Sequence, residues 1–253
     1  MYVASMAKAV SSPPVAPRAA PSPAGPSPKP LRRYTSLPVL LDTLLNRRLT
    51  LVSYSTWKDA NDRRSMEVYQ ETMHYGFVGA ICLTEAPETF HHWQVFAGDT
   101  SGVCVQFDRA HFEQVIAATP HCLFAPMRYV KIDEIAKIDA SDIHSLPFLK
   151  RRGFIDEAEL RVVGHAVEPV TALHIDIGPA VLRQVTFSPF MHPELVASAR
   201  AVIHGIPGWE KLKIIQSRLT DSERWQRALS SFPRRHGVVY GDAPAADTDS
   251  EPG

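Results

Sequence analysis

Two glutamates and an arginine stand at alternate positions in the segment KRRGFIDEAELRVV, residues 150–163. The segment is typical of a basic turn followed by a strand, and alternate residues of a strand leave the same face. Glu157, Glu159 and Arg161 would then share one surface, with the two carboxylates roughly 6.5 to 7 Å apart. An inverting glycosidase uses such a separation, but nothing else in the sequence indicates a sugar cleft. The face is either a solvated one, whose ion pairs contribute little, or the wall of a site.

A second group of chemically capable side chains is the run His91-His92-Trp93. Imidazoles exchange protons near neutral pH, and an indole offers a face for stacking. No other histidine or cysteine stands at the spacing of a metal site, so we predict no metal. We predict instead that His92 and Trp93 line a binding pocket. The alternative is a structural aromatic cluster.

The common phosphate-binding and nucleophile motifs are absent: the sequence has no G-x-x-x-x-G-K, no G-x-G-x-x-G and no G-x-S-x-G. P-loop, Rossmann and hydrolase-elbow sites are therefore not indicated. The chain has three cysteines, and Cys82 and Cys104 lie within apolar runs. That setting predicts buried, reduced and inert thiols in the core.

Charge is balanced over the 253 residues, with 27 Lys+Arg and 27 Asp+Glu. Such a balance does not indicate nucleic-acid binding, which favours a strongly basic surface. No apolar run reaches the roughly 18 residues of a membrane helix, and the N-terminus lacks the apolar core of a signal peptide. We therefore expect a cytoplasmic protein that does not associate with membranes.

The two ends of the chain differ in composition from the rest. Residues 1–30 are rich in proline, alanine and serine and have no acidic residue, and the last residues are acidic and short of large apolar side chains. Such segments bury too little apolar surface to offset the entropy of ordering them. We predict a disordered Pro-rich tail at 1–30, one folded domain at 31–232 and a disordered C-terminal tail at 233–253. The composition of the first tail does not favour a protein partner for it.

Strands and helices would position the candidate side chains, and they do not alternate regularly along the chain. Apolar and β-branched runs predict about eight strands, and apolar stripes predict four or five helices, including 37–48 and 193–204. Residues 170–177 and 180–190 are expected to pair as a hairpin. The pattern predicts an α+β fold: a single domain whose mixed, mostly antiparallel sheet has flanking helices.

Several segments together resemble the bacterial domain-of-unknown-function family 2971. The resemblance covers residues 31–219 and rests on RYTS at 33–36, STWKDANDR at 55–63, TFHHWQVFA at 89–97, SGVCVQFD at 101–108, RYV at 128–130, PFLKRRGFIDEAELR at 147–161 and TFSPF at 186–190. Many relatives carry NDP with a later glutamate, whereas here Asn61-Asp62 is followed by Arg63, with Glu67 beyond. The family implies a bacterial protein and no settled activity.

The order of motifs is also similar to that of NAD-using ADP-ribosyltransferases of the Arg-Ser-Glu type. The resemblance implies a cation for the pyrophosphate, a hydroxyl beside the nicotinamide ribose, and a carboxylate that stabilises an oxocarbenium-like centre. The arginine of the first strand is Arg32 or Arg33, and we select Arg33. The Ser-x-Ser-Thr run supplies Ser53 and Ser55, and the Glu-x-Glu pair is Glu157 and Glu159.

The sequence leaves three kinds of function open. One is an ADP-ribosyltransferase-like enzyme that uses NAD or another nucleotide-like small molecule, with Glu157 and Glu159 catalytic. The second is a non-enzymatic module that binds a ligand or partner through those glutamates, Arg161, His92 and Trp93. The third is an unknown hydrolase or nuclease. The discriminating feature is whether Glu159 points into a cleft shared with the first-strand arginine and the serines, or onto open solvent.

Overall fold

The computed structural model describes residues 29–139 and 141–230. Apart from residues 29 and 30, the tail predicted at 1–30 lies outside them, as does that at 233–253. The described residues form seven α-helices, α1 Leu37–Asn46, α2 Ala60–Thr72, α3 Phe90–Phe96, α4 Arg109–Ala118, α5 Ile132–Ile135, α6 Pro193–His204 and α7 Glu223–Ser230. Their eleven strands are β1 Leu31–Ser36, β2 Arg48–Ser53, β3 Phe77–Thr84, β4 Gly102–Phe107, β5 Cys122–Pro126, β6 Arg128–Val130, β7 Leu149–Arg151, β8 Glu159–Ala166, β9 Ala172–Asp176, β10 Leu182–Phe187 and β11 Lys213–Gln216.

Nine strands form one sheet, in which seven follow the order β11-β10-β4-β1-β3-β2-β9. β8 pairs with β3, and β5 pairs with the other edge of β8. The β10–β11 pair is parallel, and the remaining strand pairs described in this sheet are antiparallel. β6 and β7 form a separate parallel pair. The predicted α+β class, with a mixed and mostly antiparallel sheet, is confirmed.

Helices cover both faces of the sheet. The largest core cluster joins α1, α4 and α6 to one face. Two smaller clusters join α2 and α3 to the other. Among the described residues no helix combines the length and apolar character that crossing a membrane requires.

The expected hairpin between residues 170–177 and 180–190 is wrong. β9 pairs with β2, whereas β10 lies far along the sheet between β4 and β11. Pro179 begins a 3-10 turn, and its fixed φ is incompatible with the type I′ turn that joins many two-residue hairpins. The two strands are neighbours in sequence but find their partners elsewhere.

The predicted strand around the two glutamates starts later than expected. Residues 152–157 form a 3-10 turn that ends at Glu157, and β8 begins at Glu159. Between them Ala158 has a φ of 42°, in the left-handed region that non-glycine residues rarely adopt. The two carboxylates are therefore brought together by a sharp turn, not by alternation along one strand.

Candidate functional site

A cavity of about 640 Å³ opens between β1, β3, the start of α2, α3 and the turn before β8. Its volume lies within the range of roughly 300 to 1,000 Å³ that is usual for small-molecule sites. Four aromatic side chains contribute to its wall: Tyr34, Trp57, Phe96 and Phe154. Charged side chains complete it: Arg32, Lys58, Asp59, Asp62, Lys150, Glu157 and Glu159.

A second depression, of about 560 Å³, lies beside α2 and is lined by Tyr54, Tyr75, Glu67 and Glu71 among others. Its carboxylates are exposed to solvent and pair with Arg64 on the surface. The first cavity instead adjoins buried charges, and burying charge is costly unless a structure compensates it. We therefore place the candidate site in the first cavity.

Five charged side chains form a continuous buried network at this cavity. Arg161 donates two hydrogen bonds to Asp62, of 2.9 and 2.8 Å, and its Nε donates to Oε1 of Glu159 at 2.9 Å. Lys150 Nζ donates to Oε2 of Glu159 at 2.8 Å and also to Oε2 of Glu157. Both oxygens of Glu159 are thus occupied. Glu157 has one oxygen, Oε1, with no hydrogen-bond partner among the described residues.

Three further contacts hold the two cations in place. The guanidinium of Arg161 lies 4.7 Å from the centre of the Trp57 ring, and it also donates to the carbonyl of Pro147 at 2.9 Å. Lys150 Nζ lies 5.1 Å from the centre of the Phe154 ring. Stacking and hydrogen bonding of this kind partly replace the water that the charged groups lose. The network therefore links α2, β7, the turn before β8, and β8 itself.

The surroundings determine which carboxylate can exchange a proton. Burial alone would raise the pKa of Glu159, but Arg161 and Lys150 together lower it. Burial raises the pKa of Glu157, against the opposing effect of Lys150. Burial would lower the pKa of Lys150, but Glu159 and Glu157 raise it. The ammonium of Lys150 lies beside several carboxylates, and Arg161 gives Glu159 a second cation, so Lys150 and Glu159 stay charged. Glu157 has only Lys150, which it shares with Glu159, and it therefore takes up a proton more readily.

The interpretation of the Glu157, Glu159 and Arg161 face as a solvated surface is wrong. Their exposed fractions are 6%, 5% and 0%. Both glutamates line the cavity, whereas Arg161 lies beneath it and holds Glu159 and Asp62. Burial arises because α2 and the segment before β7 cover this face of β8.

The structure separates the two predicted pocket residues of α3. His92 lines the cavity and is 2% exposed. Trp93 lies in the core behind it, packs edge-on against Tyr34 at 5.0 Å and donates to Glu88 at 2.7 Å. Successive helical residues point about 100° apart, so only one of them can face the cavity.

The other predicted binding residues lie away from the cavity wall. Strand alternation directs Arg32 and Tyr34 to the cavity and puts Arg33 on the opposite face with Leu31. Ser53 and Ser55 bond to each other in the turn after β2, at 3.1 Å between their hydroxyl oxygens. The residues of the Arg-Ser-Glu motif order therefore do not come together at the cavity. The arginine of β1 that lines the cavity is Arg32, not the predicted Arg33.

Sequence reasoning missed several cavity residues, above all Lys150, Asp62 and Trp57. Asp62 lies in the first turn of α2 and is 6% exposed. Its partner Arg161 is 99 residues further along the chain. No local pattern links the two residues. The sequence also held no signal that Arg161 needs a distant acidic partner, because only the structure shows that its side chain is buried.

One of the cysteines also differs from its predicted setting. Cys82 is only partly buried and lines the cavity, whereas Cys104 is buried in the core. Burial raises the pKa of both thiols, that of Cys104 to about 12. Among the described residues, no three or more His, Cys, Asp or Glu side chains are grouped so as to hold a metal ion.

Comparison with known proteins adds one structural likeness. No protein-family model matches the chain, and no curated protein matches it. A solved structure described as Thermus sp. 2.9 DarT in complex with NAD+ is similar over 76% of this chain and 97% of its own, at 9% identity and a TM-score of 0.40.

Proposed function

We propose that this chain is an ADP-ribosyltransferase-like enzyme that binds NAD in the cavity beside Glu157, and that it belongs to the domain-of-unknown-function family 2971. The observation that carries the proposal is the combination of aromatic rings, a cation and a partly unpaired carboxylate around one cavity of about 640 Å³. NAD offers matching groups: a planar pyridinium ring, a diphosphate and a ribose.

The proposed role of each side chain follows from the hydrogen-bonding groups that it does not already use within the protein. Arg32 donates one hydrogen bond to the carbonyl of Ala86 and otherwise faces the cavity, where it can contact a diphosphate. Glu157 keeps Oε1 free for a ribose hydroxyl. Glu159 has no free oxygen and therefore acts as a positioning residue, which fixes Lys150 and through it Glu157.

The proposed reaction breaks the bond between C1′ of the ribose and the pyridinium nitrogen. The electron pair of that bond leaves with nicotinamide, and the ribose gains oxocarbenium character that Glu157 stabilises. An acceptor heteroatom then bonds to C1′ and loses its proton. The carboxylate of Glu157 is suited to receive that proton, because burial raises its pKa.

The test measures NAD binding by calorimetry and nicotinamide release by chromatography, with Glu157→Gln compared against Asp156→Asn. Asp156 is the exposed neighbour of Glu157 and serves as a matched control. We expect release to fall by roughly 10²- to 10⁴-fold in Glu157→Gln and to stay unchanged in Asp156→Asn. A wild-type protein that neither binds NAD nor releases nicotinamide would exclude the proposal.

One observation favours a non-enzymatic binding module as the second candidate. Lys150 already donates hydrogen bonds to both Glu157 and Glu159, so most of the network is satisfied without a ligand. A module of this kind would bind a nucleotide and leave it intact. NAD binding with no nicotinamide release, in the presence of cell extract as a source of acceptors, would support it over the enzyme.

A further inference from the structure

His92 has a buried nitrogen that the protein itself leaves without a hydrogen bond. The side chain lines the cavity, and its Nε2 has no hydrogen-bond partner among the described residues. Buried polar groups are nearly always paired, so an unpaired one on a cavity wall indicates a ligand or water that completes it. Tyr34 and Phe96 flank the ring, at 5.1 and 5.8 Å between centres.

The neighbouring threonine contacts the other ring nitrogen. Thr89 Oγ1 accepts from the backbone N–H of His92 at 3.3 Å and lies 2.6 Å from its Nδ1. In the tautomer in which this hydroxyl donates to Nδ1, the ring proton resides on Nε2. Nε2 is then a donor at the cavity wall.

The donor is neutral and has an acceptor beside it. Burial lowers the pKa of His92, so the imidazole is uncharged at neutral pH. Glu157 lines the same cavity and its backbone opposes part of that lowering, while Nε2 has no hydrogen-bond partner of normal geometry among the described residues. The Glu157 carbonyl already accepts from Thr84 Oγ1 at 2.5 Å and retains a second lone pair.

We propose that His92 Nε2 and the Glu157 carbonyl form a subsite for a primary carboxamide on a planar ring. The amide oxygen accepts from Nε2, and the amide N–H donates to the carbonyl. A carboxylate in the same place would have the neutral Nε2 as its donor but would lie against a repelling carbonyl oxygen, to which it has no N–H to donate. Resting on the proposed function, the subsite binds the nicotinamide end of NAD and discriminates against its carboxylate analogue.

The experiment compares three dinucleotides on the wild type: NAD, the analogue with a carboxylate in place of the carboxamide, and the 3-acetylpyridine analogue, which keeps the carbonyl oxygen but has no N–H. We expect NAD to bind about tenfold more tightly than either, since one hydrogen bond contributes up to roughly that factor. Equal affinity for NAD and the carboxylate analogue would overturn the inference.

Variants then assign the preference to His92. We expect His92→Phe to bind NAD about tenfold more weakly and to lose the preference over the carboxylate analogue. His92→Gln, which supplies an N–H donor, should restore part of it. His91→Phe, at the exposed neighbouring position, is the matched control and should behave as the wild type. An unchanged preference in a folded His92→Phe protein would contradict the proposal.

Free nicotinamide and nicotinate, titrated by NMR, separate this inference from the proposed function. If nicotinamide binding depends on His92 but the protein does not bind NAD, the transferase function is excluded and the carboxamide subsite is supported. If the protein turns over NAD but binds nicotinamide and nicotinate equally, the transferase function is supported and the carboxamide subsite is excluded. If nicotinamide does not bind at all, the subsite is excluded.

Discussion

At the scale of single residues, Glu159 contributes to stability through its charge. It accepts from Arg161 with one oxygen and from Lys150 with the other, and it is 5% exposed. Its backbone N–H also donates to Tyr129 Oη at 2.8 Å. A neutral side chain at this position would leave two buried cations with weaker acceptors.

We therefore expect Glu159→Gln to lower the free energy of unfolding by about 1.5 to 3 kcal/mol at neutral pH. The folded-state pKa of Glu159 is lowered from 4.5, so its contribution is complete above the unfolded value and is lost as pH falls through the folded value. The variant should accordingly show a shallower loss of stability on the acid side. Urea unfolding over a pH series measures both effects.

The exposed neighbour again provides the control for this measurement. Asp156→Asn should change the free energy of unfolding by less than about 0.5 kcal/mol, as surface substitutions usually do. If Glu159→Gln changed the free energy of unfolding no more than Asp156→Asn, the charge of Glu159 would not stabilise the fold.

At the scale of elements, the Asp62–Arg161 pair attaches α2 to β8. The pair is bidentate and almost fully buried, and Trp57, just before α2, stacks on the same guanidinium. Asp59 caps the helix by accepting from the N–H groups of Asn61 and Asp62. The start of α2 is therefore fixed as one wall of the cavity.

Asp62→Asn is expected to cost about 3 to 5 kcal/mol, because it removes one partner of a buried ion pair. Local opening should also increase, so amide hydrogens in α2 should exchange faster. Hydrogen exchange followed by mass spectrometry measures this. Glu71→Gln, on the same helix with a side chain 61% exposed, is the control. Equal exchange in the two variants would show that the pair does not hold the helix.

For the molecule as a whole, the packing contacts of the described residues begin at the start of β1. Leu31, at the start of β1, is fully buried and pairs with Phe107. Just before it, the carbonyl of Lys29 accepts from Arg109 at 2.9 Å. The segment before Lys29 has the composition that predicts a disordered tail.

Removing residues 1–28 should therefore shift Tm by less than about 2 °C, which corresponds to less than about 1 kcal/mol for a domain of this size. Removing residues 1–34 takes out Leu31 and Tyr34 and should lower Tm strongly. Differential scanning calorimetry of both truncated proteins measures the two shifts in Tm. A large shift for the shorter truncation would mean that the first segment packs on the domain.

Local patterns in the sequence are sufficient to predict the α+β class and the shared face of Glu159 and Arg161. Those features depend on local periodicity, since a strand must alternate and a helix must repeat every 3.6 residues wherever it packs. Alternation also implied that Arg32 and Arg33 leave opposite faces, but not which of the two faces the cavity would occupy.

The pairing of the strands and the partners of each buried charge could not be predicted from the sequence, because they depend on long-range contacts. The bond between Asp62 and Arg161 joins residues 99 positions apart, and Lys150 donates hydrogen bonds to two glutamates that are separated by the left-handed residue Ala158. β9 and β10 likewise take partners far from each other in the sheet. Such contacts form because the whole chain must bury its apolar faces and pair its buried charges together, a condition that no short segment contains.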